Sequence, residues 1–241
     1  MVQRNRVLFT GSAALLGWSA LLLQYGLVIE LARAGNIPFA FATANFFSYF
    51  TILTNLLVAV AFTSQLLVPT SRVRAFFARP ATTGAVTVCI AVVGLVYSLA
   101  LRSLWHPTGL QRVADQLLHD VMPVVWIVYW IVFAARGRVD WRVLPVWLLY
   151  PLAWFAWILL RGSWTGFYPY PFIDVTVLGY VRTVLNALVV LCLFALLACI
   201  VMAVGRMLAR SGTRRGAHDA TLEPMPTGPL HGQPHDTTGD H

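Results

Sequence analysis

The chain has 241 residues, of which 59% are hydrophobic and only 11% are charged. Soluble domains carry about 25% charged residues, so this balance excludes an ordinary soluble domain and is typical of a protein that crosses a membrane several times. The net charge is +8, but the arginines are scattered between apolar runs, which argues against a nucleic-acid partner. We therefore predict an all-α, polytopic helix bundle in the cell membrane, surrounded by membrane lipids and without nucleic acid as a partner.

Six apolar stretches are long enough to span the hydrocarbon core, which needs about 20 helical residues. The first follows Arg4 and Arg6 but exceeds the apolar region of a signal peptide, about 7–15 residues, so we interpret it as a retained helix. The predicted spans are Val7–Leu31, Phe46–Val68, Gly84–Leu101, Gln116–Ala135, Val143–Leu160 and Val177–Met207.

Arginine placement predicts the orientation of these spans. Twelve arginines flank the spans on the side of the two termini, whereas four lie on the other side: Arg33, Arg102, Arg112 and Arg161. Cytoplasmic loops carry the excess of positive charge, so both termini are expected in the cytoplasm, in agreement with an even number of spans.

The last part of the chain changes character. Residues 211–241 are dominated by Gly, Pro, Thr, His and Asp, with few apolar residues. Such a segment buries too little surface to offset the entropy lost on ordering. We predict a six-helix transmembrane domain over residues 1–210 and a disordered cytoplasmic tail over 211–241.

A polar face marks the predicted second span. At about 100° per residue, Asn45, Ser48, Thr51 and Asn55 fall within roughly 120° of one helix. Lipid offers no hydrogen bonds, so this face must contact protein or water. It is explained either by hydrogen bonds that join neighbouring helices or by a functional site.

The fourth span carries the only histidine within a predicted span, His119, which is followed by Asp120. Pro123 has no N–H and leaves the carbonyl of His119 without its helical partner, so we expect a kink here. A histidine at this position is suited to act as a general base or in a proton relay. The alternative is an interfacial His-Asp pair at the start of the helix.

The loop before the sixth span has the sequence Tyr168-Pro169-Tyr170-Pro171-Phe172-Ile173-Asp174. Its alternating prolines restrict the backbone and predict a rigid segment. The aromatic residues are also typical of an interfacial belt. Asp174 stands where a carboxylate favours a helix N-terminus, and it can alternatively orient His119 or pair with an arginine.

These motifs carry a resemblance to a known family. The pieces Tyr49-Phe50-Thr51-Ile52-Leu53, His119 ahead of Pro123, and Tyr170-Pro171-Phe172-Ile173-Asp174 occur in this order. The chain resembles a distant bacterial relative of the androgen-induced membrane proteins, which include the androgen-dependent TFPI-regulating protein. Animal members hydrolyse fatty-acid esters of hydroxy fatty acids, so the resemblance implies Thr51 as nucleophile and His119 as base.

The residues suggest a coherent hydrolase site. A threonine hydroxyl needs a base to take its proton, and a carboxylate such as Asp174 would orient the imidazole. Asn55 or a side chain from the loop before the sixth span would stabilise an oxyanion. The expected substrate is a lipid ester or another apolar molecule, without a metal or cofactor. The residues predicted to contact it are Ser48, Asn55, Asp120 and Tyr170.

Two other functions remain open at this point. One is a non-catalytic membrane protein that binds or carries a small apolar ligand, which needs the cavity but not both Thr51 and His119. The other is a transporter, although no inverted repeat or matching pair of interrupted spans is visible.

Overall fold

A computed structural model describes residues 2–134, 137 and 139–222, with side chains described as far as residue 210. Within these residues the fold is all-α. The helices are α1 (Val2–Ala34), α2 (Phe39–Phe46), α3 (Phe50–Ser64), α4 (Arg72–Phe77), α5 (Pro80–Val96), α6 (Gly109–Gln116), α7 (Met122–Phe133), α8 (Leu144–Thr165) and α9 (Val175–Leu222). Two π-helical segments, Tyr97–Leu101 and Leu117–Val121, continue α5 and join α6 to α7. Short 3-10 turns occur at Trp141–Val143 and Pro171–Ile173.

The fold confirms a helix bundle with enough apolar length to cross a membrane. Five continuous helical segments qualify, and α2 with α3 forms a sixth that is bent by 73°. The orientation of the termini stays a prediction. Ala135, Arg136, Arg138 and residues 223–241 lie outside the described part of the chain, so the prediction of a disordered tail also stays open.

The predicted continuous helix over residues 46–68 is wrong at its start. The chain breaks between α2 and α3, so Asn45 lies on α2 and Thr51 on α3, with Ser48 in the break. No proline or glycine marks this break. Instead, side chains satisfy the released backbone groups: Trp154 Nε1 donates to the carbonyl of Ser48 at 3.0 Å, and Thr51 N donates to the Tyr170 hydroxyl at 3.1 Å.

The bundle is built around α5. This helix packs against α3, α7 and α9, and α1 covers the other side of α3. The side chains of α5 are apolar and small on nearly all faces, as is typical of a helix with other helices packed around it. Ile90 of this helix is fully buried. This arrangement brings the start of α3, the end of α5 and the α6–α7 junction together at one end of the bundle.

The expected irregularity beside Pro123 takes the form of a π segment, not a sharp break. In π register the carbonyl of Leu118 would accept the N–H of Pro123, which has none. Asn55 Nδ2 supplies a replacement donor to this carbonyl at 3.1 Å. On the neighbouring helix, Gly94 allows close approach, because a Cβ there would lie 3.3 Å from the carbonyl oxygen of His119.

Candidate functional site

Three of the predicted site residues line one cavity of about 350 Å³. They are Thr51 from α3, His119 from the π segment before α7, and Tyr170 from the loop before α9. The cavity lies between elements that are distant in sequence, at the end of the bundle opposite the N-terminus of α1. Since π segments frequently occur at functional sites, the one that carries His119 strengthens the assignment of this cavity.

Thr51 is held by Tyr170. Its Oγ1 lies 3.2 Å from the Tyr170 hydroxyl, which also accepts the backbone N–H of Thr51 at 3.1 Å. Thr51 occupies the first turn of α3, where backbone N–H groups have no partner within the helix, so Tyr170 caps this helix from another part of the chain. Burial raises the pKa of Tyr170 to about 12, so its hydroxyl stays protonated at neutral pH.

His119 is held by Asp115, which lies four residues earlier on the same helical face. His119 Nδ1 lies 3.0 Å from the backbone carbonyl of Asp115 and 3.2 Å from its Oδ1. Both oxygens are acceptors, so in the neutral ring we assign the proton to Nδ1. The lone pair of Nε2 then remains available, and no described residue bonds to it. This is the tautomer that a general base needs.

Tyr97 completes this group. Its ring stacks on the imidazole of His119 with centroids 4.0 Å apart and planes 16° from parallel. Its hydroxyl donates to Asp115 Oδ2, so the two carboxylate oxygens have different partners. Tyr97 begins the π segment that continues α5, and this turn aims the ring at α6. Position and tautomer of His119 are therefore fixed from two helices.

The hydrogen bonds of Asn55 join parts of the fold to each other. Its Nδ2 donates to the carbonyls of Thr51 at 2.9 Å and Leu118 at 3.1 Å, and the residue is fully buried. Its Oδ1 has no partner among the described residues. Asn55 does not line the cavity that Thr51 and His119 share. It joins α3 to the π segment and keeps the two predicted catalytic residues at a fixed separation.

Two further predicted site residues, Ser48 and Asp120, lie apart from this cavity. Ser48 donates through Oγ to the carbonyl of Ala44 at 2.7 Å. Asp120 forms an exposed ion pair with Arg102. Neither Ser48 nor Asp120 lines the cavity.

Asp174 serves the start of α9. Its Oδ1 accepts the backbone N–H of Thr176 at 2.9 Å and also the Thr176 hydroxyl. This is the helix N-terminal role that the sequence also allowed. The structure does not bring Asp174 to His119. The carboxylate beside the imidazole is that of Asp115, so the prediction that Asp174 orients His119 is wrong.

Sequence reasoning missed Asp115 and Tyr97. The spacing of Asp115 and His119, i and i+4, places both on one helix face and was a usable signal. Tyr97 carried no such signal, because its approach to Asp115 depends on how α5 packs against the α6–α7 junction.

Comparison with known proteins gives no match to a family model, to a curated protein or to a solved structure. The fold itself defines the class: in the part of the chain that the structure describes, five or six helical segments are long and apolar enough to cross a membrane, which is compatible with an integral, multi-pass membrane protein.

Proposed function

We propose that the chain is a membrane hydrolase of lipid esters, with Thr51 as nucleophile and His119 as general base. The observation that carries the proposal is the Asp115–His119 contact, which leaves the basic nitrogen of His119 unoccupied in the same cavity as the Thr51 hydroxyl. The resemblance of the threonine, histidine and Tyr-Pro-Phe segments to the androgen-induced membrane proteins supports the same assignment.

The reaction would proceed in two balanced steps. Thr51 Oγ1 attacks the ester carbonyl carbon while its proton passes to His119 Nε2; the C–O bond of the ester then breaks, and the alcohol leaves with that proton. Water next attacks the acyl-threonine and gives a proton to His119. The acid departs, and Thr51 recovers its proton from the imidazole. No metal or cofactor enters either step.

Asp115 and Tyr97 act as positioning residues in this scheme. Asp115 holds the Nδ1 proton and stabilises the imidazolium that forms, as the carboxylate does in a catalytic triad. The Tyr170 hydroxyl, which stays protonated, can donate either to Thr51 or to the oxyanion that develops beside it. Because the Tyr170 hydroxyl contacts Thr51, we assign Tyr170 to the reaction centre as well as to substrate binding.

One observation favours a second candidate, a non-catalytic protein that binds an apolar ligand. Within the described residues, no hydrogen bond joins Thr51 to His119, and the Thr51 hydroxyl is paired with Tyr170 instead. For catalysis, ester binding would have to bring the Thr51 hydroxyl within hydrogen-bond distance of His119 Nε2, and such contacts often tighten only in the substrate complex. The ligand-binding protein would retain the cavity without this change.

The deciding experiment is labelling of purified protein by a fluorophosphonate, with mass-spectrometric mapping, alongside hydrolysis of long-chain esters in detergent. We expect labelling at Thr51, loss of both signals in Thr51→Val and His119→Gln, and little further loss in the double variant, because the residues act as a unit. Thr51→Ser should retain activity. Ser48→Ala is the matched control, since its hydroxyl bonds only to Ala44 and lies outside the cavity. Full activity in Thr51→Val would overturn threonine catalysis.

A further inference from the structure

A second cavity of about 160 Å³ adjoins the first. It lies between α5, α8 and α9 and is lined almost entirely by aliphatic and aromatic side chains. Four residues line both cavities: Thr51, Tyr97, Leu101 and Tyr170. The two cavities are therefore neighbours on either side of these shared side chains, and we call the second cavity the apolar arm and the first the polar arm of the candidate site.

The apolar arm reaches the outer surface of the bundle. Leu152 on α8 and Val184 and Leu188 on α9 line it, yet each is 44–50% exposed. In a membrane-spanning bundle such exposed aliphatic side chains contact lipid. The mouth between α8 and α9 thus opens sideways toward lipid, while the inner end closes on Thr51.

Polar atoms in the apolar arm are confined to its inner end. The hydroxyls there belong to Thr51, Tyr97 and Tyr170, and the indole N–H of Trp154 is already donated to the carbonyl of Ser48. An alkyl chain satisfies such a surface, because it needs no hydrogen bonds along its length and gains contact with the lining side chains. A carbonyl at the head of that chain would lie beside Thr51.

The polar arm has a different character. Besides His119 and Asp115, it contains Gln24 and Gln111, whose side chains bond to each other at 2.9 Å. Each primary amide has two N–H groups and an oxygen with two lone pairs, so this pair keeps donors and acceptors free for a ligand. Hydroxyl groups are the ligand chemistry that complements them.

We infer that the substrate is a single-chain ester whose acyl chain enters from the membrane between α8 and α9 and whose short, hydroxyl-bearing alcohol part occupies the polar arm beside Gln24 and Gln111. The inference rests on the proposed hydrolysis at Thr51 for its chemistry. The occupancy of the two arms can be measured without any reaction, because an ether analogue binds in the same way and cannot be cleaved.

The first experiment uses a glycerol monoether whose alkyl chain carries a diazirine and a terminal alkyne. Purified full-length protein in lipid nanodiscs is irradiated, and crosslinked residues are mapped. We expect crosslinks at Leu152, Val184 and Leu188, and their loss in Ala187→Trp, which fills the apolar arm. The smaller substitution Ala187→Leu should reduce the crosslinks, and it keeps the test valid if the tryptophan variant does not fold. Val189→Trp is the matched control, since Val189 lies only two positions after Ala187 on α9 but is 70% exposed and does not line the arm.

The second experiment measures hydrolysis of monoacylglycerols and of ethyl esters with the same acyl chains. Ala187→Leu should shift the preference toward shorter chains, whereas Gln24→Leu combined with Gln111→Leu should remove the preference for glycerol over ethanol. Crosslinks that map away from α8 and α9, or that persist in Ala187→Trp, would overturn the inference, as would an unchanged alcohol preference. Crosslinks in the apolar arm without hydrolysis of any ester would instead remove the proposed function and leave the chain-binding site standing.

Discussion

The Tyr170 hydroxyl contacts both the backbone N–H and the side-chain Oγ1 of Thr51, at 3.1 and 3.2 Å. One phenol from the loop before α9 therefore caps α3 and fixes the predicted nucleophile, although the two residues are 119 positions apart in the sequence. Any change to this contact acts on helix stability and on chemistry at once, so these two effects must be measured separately.

Removal of the Tyr170 hydroxyl should destabilise the fold. Tyr170→Phe leaves the buried N–H of Thr51 without an acceptor, which costs about 1–3 kcal/mol. Thermal unfolding in detergent should show a clearly lower Tm. Tyr168→Phe is the control, since it makes the same change in the same loop and the Tyr168 hydroxyl has no hydrogen-bond partner among the described residues. Equal Tm values for the two variants would contradict the capping role.

Asp115 should control the tautomer of His119. In Asp115→Asn the side-chain amide can donate to Nδ1 in competition with the backbone carbonyl of residue 115, and this donation would move the ring proton to Nε2 and remove the base. We expect esterase activity to fall by about 10²-fold or more, as in other sites where this carboxylate is replaced. Nitrogen-15 NMR of the imidazole, assigned by comparison with His119→Gln, should show the change from a protonated Nδ1 to a protonated Nε2. Lost activity with an unchanged tautomer would refute tautomer control and leave Asp115 only the stabilisation of the imidazolium.

Tyr97→Phe should have a smaller effect than Asp115→Asn. The substitution keeps the ring that stacks on His119 and removes only the hydroxyl that donates to Asp115. Activity should drop by less than in Asp115→Asn, while Tyr97→Leu, which also removes the stacked ring, should lower it further. The order of the three variants in ester hydrolysis is the test, and Tyr97→Phe falling below Asp115→Asn would refute it.

Gly162 should tolerate no side chain while Tyr168 is present. A Cβ at this position of α8 would overlap the Tyr168 ring, so Gly162→Ala should cost about 1–3 kcal/mol through overpacking. Tyr168→Leu should restore part of this loss in the double variant, since the two residues are in contact and their effects are not additive. Gly11→Ala is a control, because a Cβ there meets no atom within 4 Å. The test is the Tm of the wild type, of Gly162→Ala, of Tyr168→Leu and of their double variant, with Gly11→Ala measured beside them.

The orientation of the bundle can be tested by reporter fusions. With twelve arginines on the side of the termini and four on the other, a fusion after Arg79 should report cytoplasm, and fusions near Gly109 and Thr165 should report the outside. A cytoplasmic signal near Gly109 would reverse the predicted side of the His119 cavity.

The sequence alone determined the membrane class, the approximate spans and three members of the cavity. A membrane span must be apolar over its length and must satisfy its backbone hydrogen bonds within itself. Both are local properties of the sequence, so long apolar runs identify the spans without knowledge of packing. Thr51 and His119 stood out for a related reason: polar and ionisable groups are costly in such runs and therefore conspicuous. Tyr170 was identified differently, through the proline-rich loop and the motif that carries the family resemblance. The Pro123 irregularity was likewise local, because it follows from one missing N–H.

Only the tertiary structure decided the break between α2 and α3 and the approach of Tyr97 to the Asp115–His119 pair. The break lacks glycine and proline and is sustained by Trp154 and Tyr170, which arrive from α8 and the loop before α9. Asp174 and Asp115 were both available carboxylates along the chain. Asp115 reaches His119 within one helical segment, but helix packing brought Tyr97 of α5 to Asp115, while Asp174 caps α9. Contacts between helices far apart in sequence leave no trace in local periodicity.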